Sequence, residues 1–297
     1  MKNKYRNIFL AFGIVAVLIM IFTFDMDYQE LWANLKRAGV YLPLVLLLWL
    51  FVYLINTTSW YIIIRSGGKP GFSFARLYKF TVTGFALNYV TPVGLMGGEP
   101  YRIMELKPYI GVERATSSVI LYVMMHIFSH FCFWLSSVLL YLCLYPVGWV
   151  MGTILGTITV FCLLVAMLFV KGYQHGMAVA FVRLGSHLPF LKKKVIRFAD
   201  SHREQLENID KQIALLHQQK KGAFYAALFL EYTARVVSCL EIWLILNVLT
   251  RSVSFADCCL IAAFSSLLAN LLFFLPMQLG GREGGFALAV GGRSLSG

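Results

Sequence analysis

Two hydrophobic stretches of this chain are interrupted in the same manner, and these interruptions restrict the possible fold more than any other feature. Each stretch carries an asparagine, then a proline, a Gly-Gly pair and a glutamate. The residues are Asn88, Pro92, Gly97, Gly98 and Glu99 in the first half, and Asn270, Pro276, Gly280, Gly281 and Glu283 in the second. A lipid-exposed helix must satisfy its backbone hydrogen bonds internally, so such breaks belong where protein or water surrounds them. Two breaks in corresponding halves are typical of transporters whose discontinuous helices meet at a binding site.

The composition is that of a membrane protein. Of the 297 residues, 59% are hydrophobic and only 13% are charged. Apolar runs at residues 8–24, 41–64, 118–145 and 147–170 are long enough to cross roughly 30 Å of hydrocarbon. We therefore predict an all-α, polytopic helical membrane protein that forms one integral domain over residues 1–297.

The positive charges predict a topology. Lys2, Lys4 and Arg6 precede the first apolar run, which places the N-terminus in the cytoplasm by the positive-inside rule. The segment 171–222 holds ten Lys or Arg against four Asp or Glu, so it is predicted to be cytoplasmic as well. We expect a multi-pass protein of the cell inner (plasma) membrane.

The first broken stretch, residues 80–91, is too short to span, and this topology puts both of its flanks in the cytoplasm. We therefore predict that it is re-entrant. Residues 255–275 stop at Pro276 and would enter from the opposite face, which predicts an inverted repeat with two re-entrant broken helices.

The first repeat would cover about residues 1–145 with its motif at 88–102, and the second about 223–297 with its motif at 270–285. The apolar piece after residue 285 is too short to span, so we expect a truncated C-terminus.

Charged side chains beside the two breaks are the first candidate site residues. Glu99 and Glu283, at membrane depth, would bind a lipid ammonium group or a proton; the alternative is an ion pair that pins each loop through Arg102 or Arg282. The two arginines are candidates for bidentate binding of a lipid phosphate, in a cradle of glycine N–H groups. The alternative for an arginine is to extend to the membrane interface.

Glu231 and Arg235 lie four residues apart within an apolar run and share a helix face. They either line the path of a lipid headgroup or neutralise each other as a structural pair. Asn88 and Asn270 are expected to bond carbonyls that the prolines leave free, with headgroup binding as the alternative.

His126 and His130 share a helix face at a spacing that a metal site can use, but neither an acid nor a cysteine accompanies them at helical spacing. We expect hydrogen bonds between helices there. The six cysteines lie in apolar stretches without a C-x-x-C pair. No nucleotide-binding loop motif is present either. The sequence thus predicts neither a metal nor a cofactor, and no nucleic-acid partner.

The segments 92–102 (PVGLMGGEPYR) and 276–283 (PMQLGGRE) resemble the two hallmark motifs of the lysylphosphatidylglycerol synthase transmembrane region, a flippase-like membrane protein family. In fused members of that family, a soluble domain transfers lysine from lysyl-tRNA to phosphatidylglycerol, and the membrane region moves the product to the outer leaflet. The resemblance implies binding or translocation of a lipid. It does not imply aminoacyl transfer by this chain, which has no soluble segment of that size.

Several lipids satisfy this resemblance: an anionic phospholipid, an aminoacylated one such as lysylphosphatidylglycerol, or a polyprenyl-linked lipid. One alternative is the membrane subunit of a phosphatidylglycerol lysyltransferase-type or glycosyltransferase system, acting with a separate soluble transferase. The other is a membrane scaffold that transports nothing.

Overall fold

The computed structural model describes residues 28–90, 97–175, 221–249 and 253–271, with four further residues between 204 and 211. Throughout these residues the regular structure is α-helical and no strand occurs, which confirms the predicted all-α class. The helices are α1 (Tyr28–Ala38), α2 (Tyr41–Ser66), α3 (Phe74–Val90), α4 (Gly98–Ile110), α5 (Val112–Leu144), α6 (Trp149–His175), α7 (Lys221–Leu249) and α8 (Phe255–Leu271).

Three of the described helices are long and apolar enough to cross a membrane. The three segments are Tyr41–Ser66, Val112–Leu144 and Trp149–Met167. They agree with the predicted runs at 41–64, 118–145 and 147–170, although the second begins six residues earlier than predicted, at Val112 and not at residue 118. The 29-residue α7 is also long, at ~43 Å by helical rise, but charged side chains interrupt its apolar run. The predicted run at 8–24 lies outside the described residues.

Glycines and one arginine shape the ends of these helices. Gly111 has φ 77°, a conformation that glycine adopts without strain, and it separates α4 from α5. Gly68, with φ 123°, lies in the turn that follows α2. Nη2 of Arg114 donates hydrogen bonds to the carbonyl oxygens of Ile64 (2.8 Å) and Gly68. The Ile64 carbonyl also accepts the Gly67 N–H at 3.2 Å, so Arg114 adds a second hydrogen bond there and one to the turn that follows the helix.

By its internal contacts the chain divides into two compact units. Unit 1 comprises the described parts of residues 1–54, 79–101 and 236–297. Its apolar contacts include Leu246, Cys258 and Ile261, which join the end of α7 to α8. The rings of Tyr53 on α2 and Phe85 on α3 stack with centroids 5.1 Å apart.

Unit 2 comprises residues 55–78 and the described parts of 102–235. Its helix α5 packs along α6. Residues from α2, α5 and α7 also meet in this unit. Trp60 and Tyr122 stack with centroids 5.4 Å apart, and the Ser59 hydroxyl donates a 3.1 Å hydrogen bond to the carbonyl oxygen of Ala227. Small hydroxyl side chains that bond across helices are a common means of association in apolar surroundings.

Candidate functional site in the helix break and the buried polar network

One asparagine side chain forms hydrogen bonds from one side of the first break to the other. Gly98, the first residue of α4, donates its backbone N–H to Oδ1 of Asn88 at 2.7 Å. Nδ2 of the same asparagine donates to Oε1 of Glu99 at 3.1 Å. The first N–H groups of a helix have no partner within the helix, and a carboxylate in the first turn interacts favourably with the helix dipole. Asn88 therefore holds both groups at the start of α4.

The end of α3 and the start of α4 lie side by side and run in opposite directions, and Gly98 permits their close approach. The rings of Phe80 on α3 and Tyr101 on α4 meet edge to face at 6.4 Å. One helical turn nearer the break, a Cβ atom added at Gly98 would overlap the backbone carbonyl group of Gly84 and lie 2.8 Å from Oδ1 of Asn88. The glycine at 98 thus lets the two backbones approach in a way that a larger side chain at that position would prevent.

Arg102 is buried within unit 2, with only 1% of its surface exposed. Its guanidinium carbon lies 5.2 Å from the centroid of the Tyr122 ring and 5.7 Å from that of Trp60. Both distances are those of cation–π contacts, which strengthen when water is excluded. In this conformation the guanidinium is packed inside the unit, and the side chain does not extend to the protein surface as it would if it reached for the membrane interface.

Glu231 on α7 is equally buried and faces His126 on α5. Nδ1 of the imidazole lies 2.8 Å from Oε2 of the carboxylate. The Glu231 side chain has no exposed surface, whereas 34% of the His126 side chain is exposed. The interaction is of the interhelical kind that the sequence suggested for the histidines. The two residues lie 105 positions apart, and nothing in the sequence pairs them.

Arg235 also reaches α5. Its Nε and Nη2 atoms donate to the Ser129 hydroxyl at 3.2 and 3.0 Å, and Nη2 donates to the carbonyl oxygen of His126 at 3.1 Å. These contacts show both members of the predicted Glu231–Arg235 pair bonded to the neighbouring helix. A carboxylate and a guanidinium are thus fixed against one turn of α5.

A row of rings runs along α5 beside these charges. Tyr122, His126, His130 and Trp134 follow one another at four-residue spacing, with successive centroids 6.4, 5.7 and 5.6 Å apart. Residues four apart share a helix face, so the row is continuous. It leads from the rings that contact Arg102 to the imidazole that contacts Glu231. The contacts of Trp60 and Tyr122 with Arg102 were not predicted from the sequence; the signal that indicates these two residues is an aromatic ring with a polar edge within an apolar run.

The remaining predicted site residues fall in several places. Gly97 is half-buried at the end of the break. Asn270 is exposed and donates from Nδ2 to the carbonyl oxygen of Ser266 in its own helix, at 2.7 Å. Six residues lie outside the described part of the chain: Pro92, Pro276, Gly280, Gly281, Arg282 and Glu283. Among the residues that are described, no group of three or more His, Cys, Asp or Glu is arranged to hold a metal ion.

Long apolar helices that enclose ionisable side chains define the class: this is a multi-pass helical membrane protein. The model of one protein family, described as the lysylphosphatidylglycerol synthase TM region, matches residues 8–295. The chain belongs to that family, as its two motifs suggested. Neither the curated proteins nor the solved structures contain a match to it.

Proposed function

We propose that this protein binds the polar headgroup of a membrane phospholipid and moves the lipid between the two leaflets. The observation that carries the proposal is the set of ionisable side chains held between α5 and α7, where Glu231 and Arg235 contact His126 and Ser129. Charges within membrane helices are costly and usually mark a pathway for an ion or a substrate. Two helices that packed only through apolar side chains would have no need of these charged groups.

The chemistry of these groups is complementary to a phospholipid. A guanidinium forms two parallel hydrogen bonds to a phosphate, and Arg235 is only partly buried. Glu99, partly buried at the N-terminus of α4, belongs to the other compact unit, where its carboxylate is a separate candidate contact for a cationic headgroup. The family description supports a lipid related to lysylphosphatidylglycerol, which carries both a phosphate and an ammonium group. Arg282 and Glu283 of the second motif would supply the same pair of charges.

In the proposed arrangement the two motifs are re-entrant and related by an inverted repeat, the N-terminus is cytoplasmic, and the membrane is the cell inner membrane. The acyl chains stay in the bilayer while the headgroup crosses in a polar cavity. The reversal of the chain between Phe80 and Tyr101 supports a re-entrant first motif, because it returns the backbone along the same path.

Lipid translocation is tested with the purified protein in liposomes. Fluorescent phosphatidylglycerol and lysylphosphatidylglycerol are placed in both leaflets, and a membrane-impermeant quencher reports how fast the inner lipid reaches the outside. We expect Arg235→Gln to slow translocation by about tenfold or more, since a hydrogen bond to a charged group is worth about 1.5–3 kcal/mol. Arg76→Gln is the matched control, because Arg76 is exposed. Equal rates for wild-type protein and a folded Arg235→Gln variant would contradict the proposal.

The lipid is identified by extraction in a gentle detergent followed by mass spectrometry of the lipids that remain bound. The wild-type protein is compared with the double variant Glu99→Gln/Glu283→Gln. One lipid class that is enriched in the wild type and lost in the folded variant names the cargo. An identical bulk-membrane profile in both would favour a scaffold, and recovery of a soluble transferase with the protein would favour a subunit of a lipid-modifying system.

A further inference from the structure

We propose that His126 and Glu231 form a proton-binding site inside the membrane, in which His126 passes a proton to the buried carboxylate. The site goes beyond lipid binding and does not depend on it. It rests on three observations: the 2.8 Å contact between Nδ1 and Oε2, the complete burial of the Glu231 side chain, and the partial exposure of His126.

Burial decides which ligand the carboxylate can bind. The Glu231 side chain has no exposed surface, so a lipid ammonium group or a metal ion would reach it only if α5 and α7 separated. A proton needs only a chain of hydrogen bonds. The His126 imidazole supplies the innermost link of that chain, because it contacts the carboxylate on one side while 34% of its side chain is not covered by protein. Oε1 of Glu231 is buried without a hydrogen-bond partner in the described structure, which is costly for an ionised carboxylate.

The proton transfer balances within the pair. In the resting state Nδ1 of the neutral imidazole carries the proton and donates it to the ionised Oε2. A proton that arrives at Nε2 binds there while the Nδ1 proton moves to Oε2. The imidazole ends neutral with its proton on Nε2, and the carboxylate becomes a carboxylic acid. Histidine is suited to this step because its two nitrogens exchange these roles near neutral pH.

Charged and aromatic groups on α4, α5 and α7 lie beside this pair or one contact away from it. Arg235 on α7 donates to the His126 carbonyl oxygen, and Arg102 on α4 lies over Tyr122. The rings of Tyr122 and His130 flank the His126 ring on α5. Each proton taken up makes the surroundings of these groups more positive by one charge. It also converts a hydrogen bond to an ionised carboxylate into one between two neutral groups, which is weaker, so proton uptake changes what holds α5 and α7 together.

Infrared difference spectroscopy of the full chain in lipid tests the site directly. Spectra are recorded at about pH 8.5 and about pH 5.5, a range in which exposed Asp and Glu, with ordinary pKa values near 4, stay ionised. We expect the stretching band of a carboxylic acid to appear at the lower pH in the wild-type protein and to shift in heavy water. Glu231→Gln should abolish the band. Glu241→Gln, a second glutamate on α7, should leave it unchanged.

The role of His126 is tested with matched histidine variants. We expect His126→Asn to slow proton uptake at the carboxylate, and His130→Asn to slow it less. If Glu231→Gln does not fold, Glu231→Asp should move the band, and ¹⁵N NMR of the wild-type histidines should show one imidazole exchanging its protonated nitrogen over the same pH range. A wild-type protein without a pH-dependent carboxylic acid band would overturn the proposal, as would a band that persists in Glu231→Gln.

Discussion

Gly98 donates its backbone N–H to the side-chain oxygen of Asn88 at 2.7 Å, so a single amide holds the first turn of α4 against the last turns of α3. The same amide donates to Glu99. These two hydrogen bonds explain why asparagine, Gly-Gly and glutamate occur together in the first motif. The asparagine bonds across the break, the glycine allows the approach, and the glutamate completes the cap.

We predict that Gly98→Ala destabilises the protein by about 1–3 kcal/mol, the usual cost of forcing an extra methyl group into a packed site. The new Cβ would overlap the carbonyl of Gly84, and backbone cannot move aside as a flexible side chain can. Thermal unfolding in detergent, followed by tryptophan fluorescence, measures the change. Gly156→Ala on α6 is the control, because no atom lies within 4 Å of the added Cβ there. Equal melting temperatures for both variants would refute the close contact.

The two motif asparagines should differ in their contribution to stability. Asn88→Ala removes an acceptor and a donor from groups across the break, at a cost of about 1–3 kcal/mol. Asn270→Ala removes one bond to a carbonyl in the same helix on an exposed surface, and we expect less than about 1 kcal/mol. The same unfolding measurement compares them. If Asn270→Ala proved as destabilising as Asn88→Ala, the asymmetry inferred from these contacts would be wrong.

Hydropathy predicted the long apolar helices because membrane crossing depends on length and polarity, whereas the shorter helices α1 and α4 were not predicted. The span predicted at 41–64 is observed as Tyr41–Ser66. Hydropathy does not show which helices pack against each other. A helix in lipid is apolar all round, so its sequence does not show which face meets another helix, and the pairing of His126 with Glu231 had no signal.

The candidate site was predicted as a set of residue types, without partners. Arg102 was expected to bind phosphate, pair with Glu99 or extend to the interface; the structure buries it against Trp60 and Tyr122. Aromatic residues are frequent throughout this chain, so the sequence alone does not indicate which two rings contact Arg102. The second motif and its charges lie outside the described residues, and their roles stay predictions.

Arg102→Lys should destabilise the protein by about 2 kcal/mol, because the compact ammonium cannot lie flat over two rings and is more strongly hydrated than a guanidinium. Arg76→Lys is a close control. Arg76 also lies 5.2 Å from a tyrosine centroid, that of Tyr109, but it is exposed, and cation–π contacts at exposed sites are worth about 0.5–1 kcal/mol. Chemical or thermal unfolding gives both values. A cost for Arg102→Lys no larger than that for Arg76→Lys would show that burial adds nothing to the contact.

Arg114→Met should loosen the end of α2. The guanidinium donates to the carbonyl oxygens of Ile64 and Gly68, and the substitution removes both of these hydrogen bonds at a cost of about 1–3 kcal/mol. We expect faster hydrogen exchange in the peptide that covers residues 61–70, with little change in α6. Arg65→Met removes an exposed charge from the same helix end without removing these bonds, and it should leave the exchange nearly unchanged. If hydrogen exchange in residues 61–70 rose equally in both variants, the two hydrogen bonds of Arg114 would not be what stabilises this helix end. A positive charge near the helix dipole would then be enough, because that interaction needs no particular partner atom.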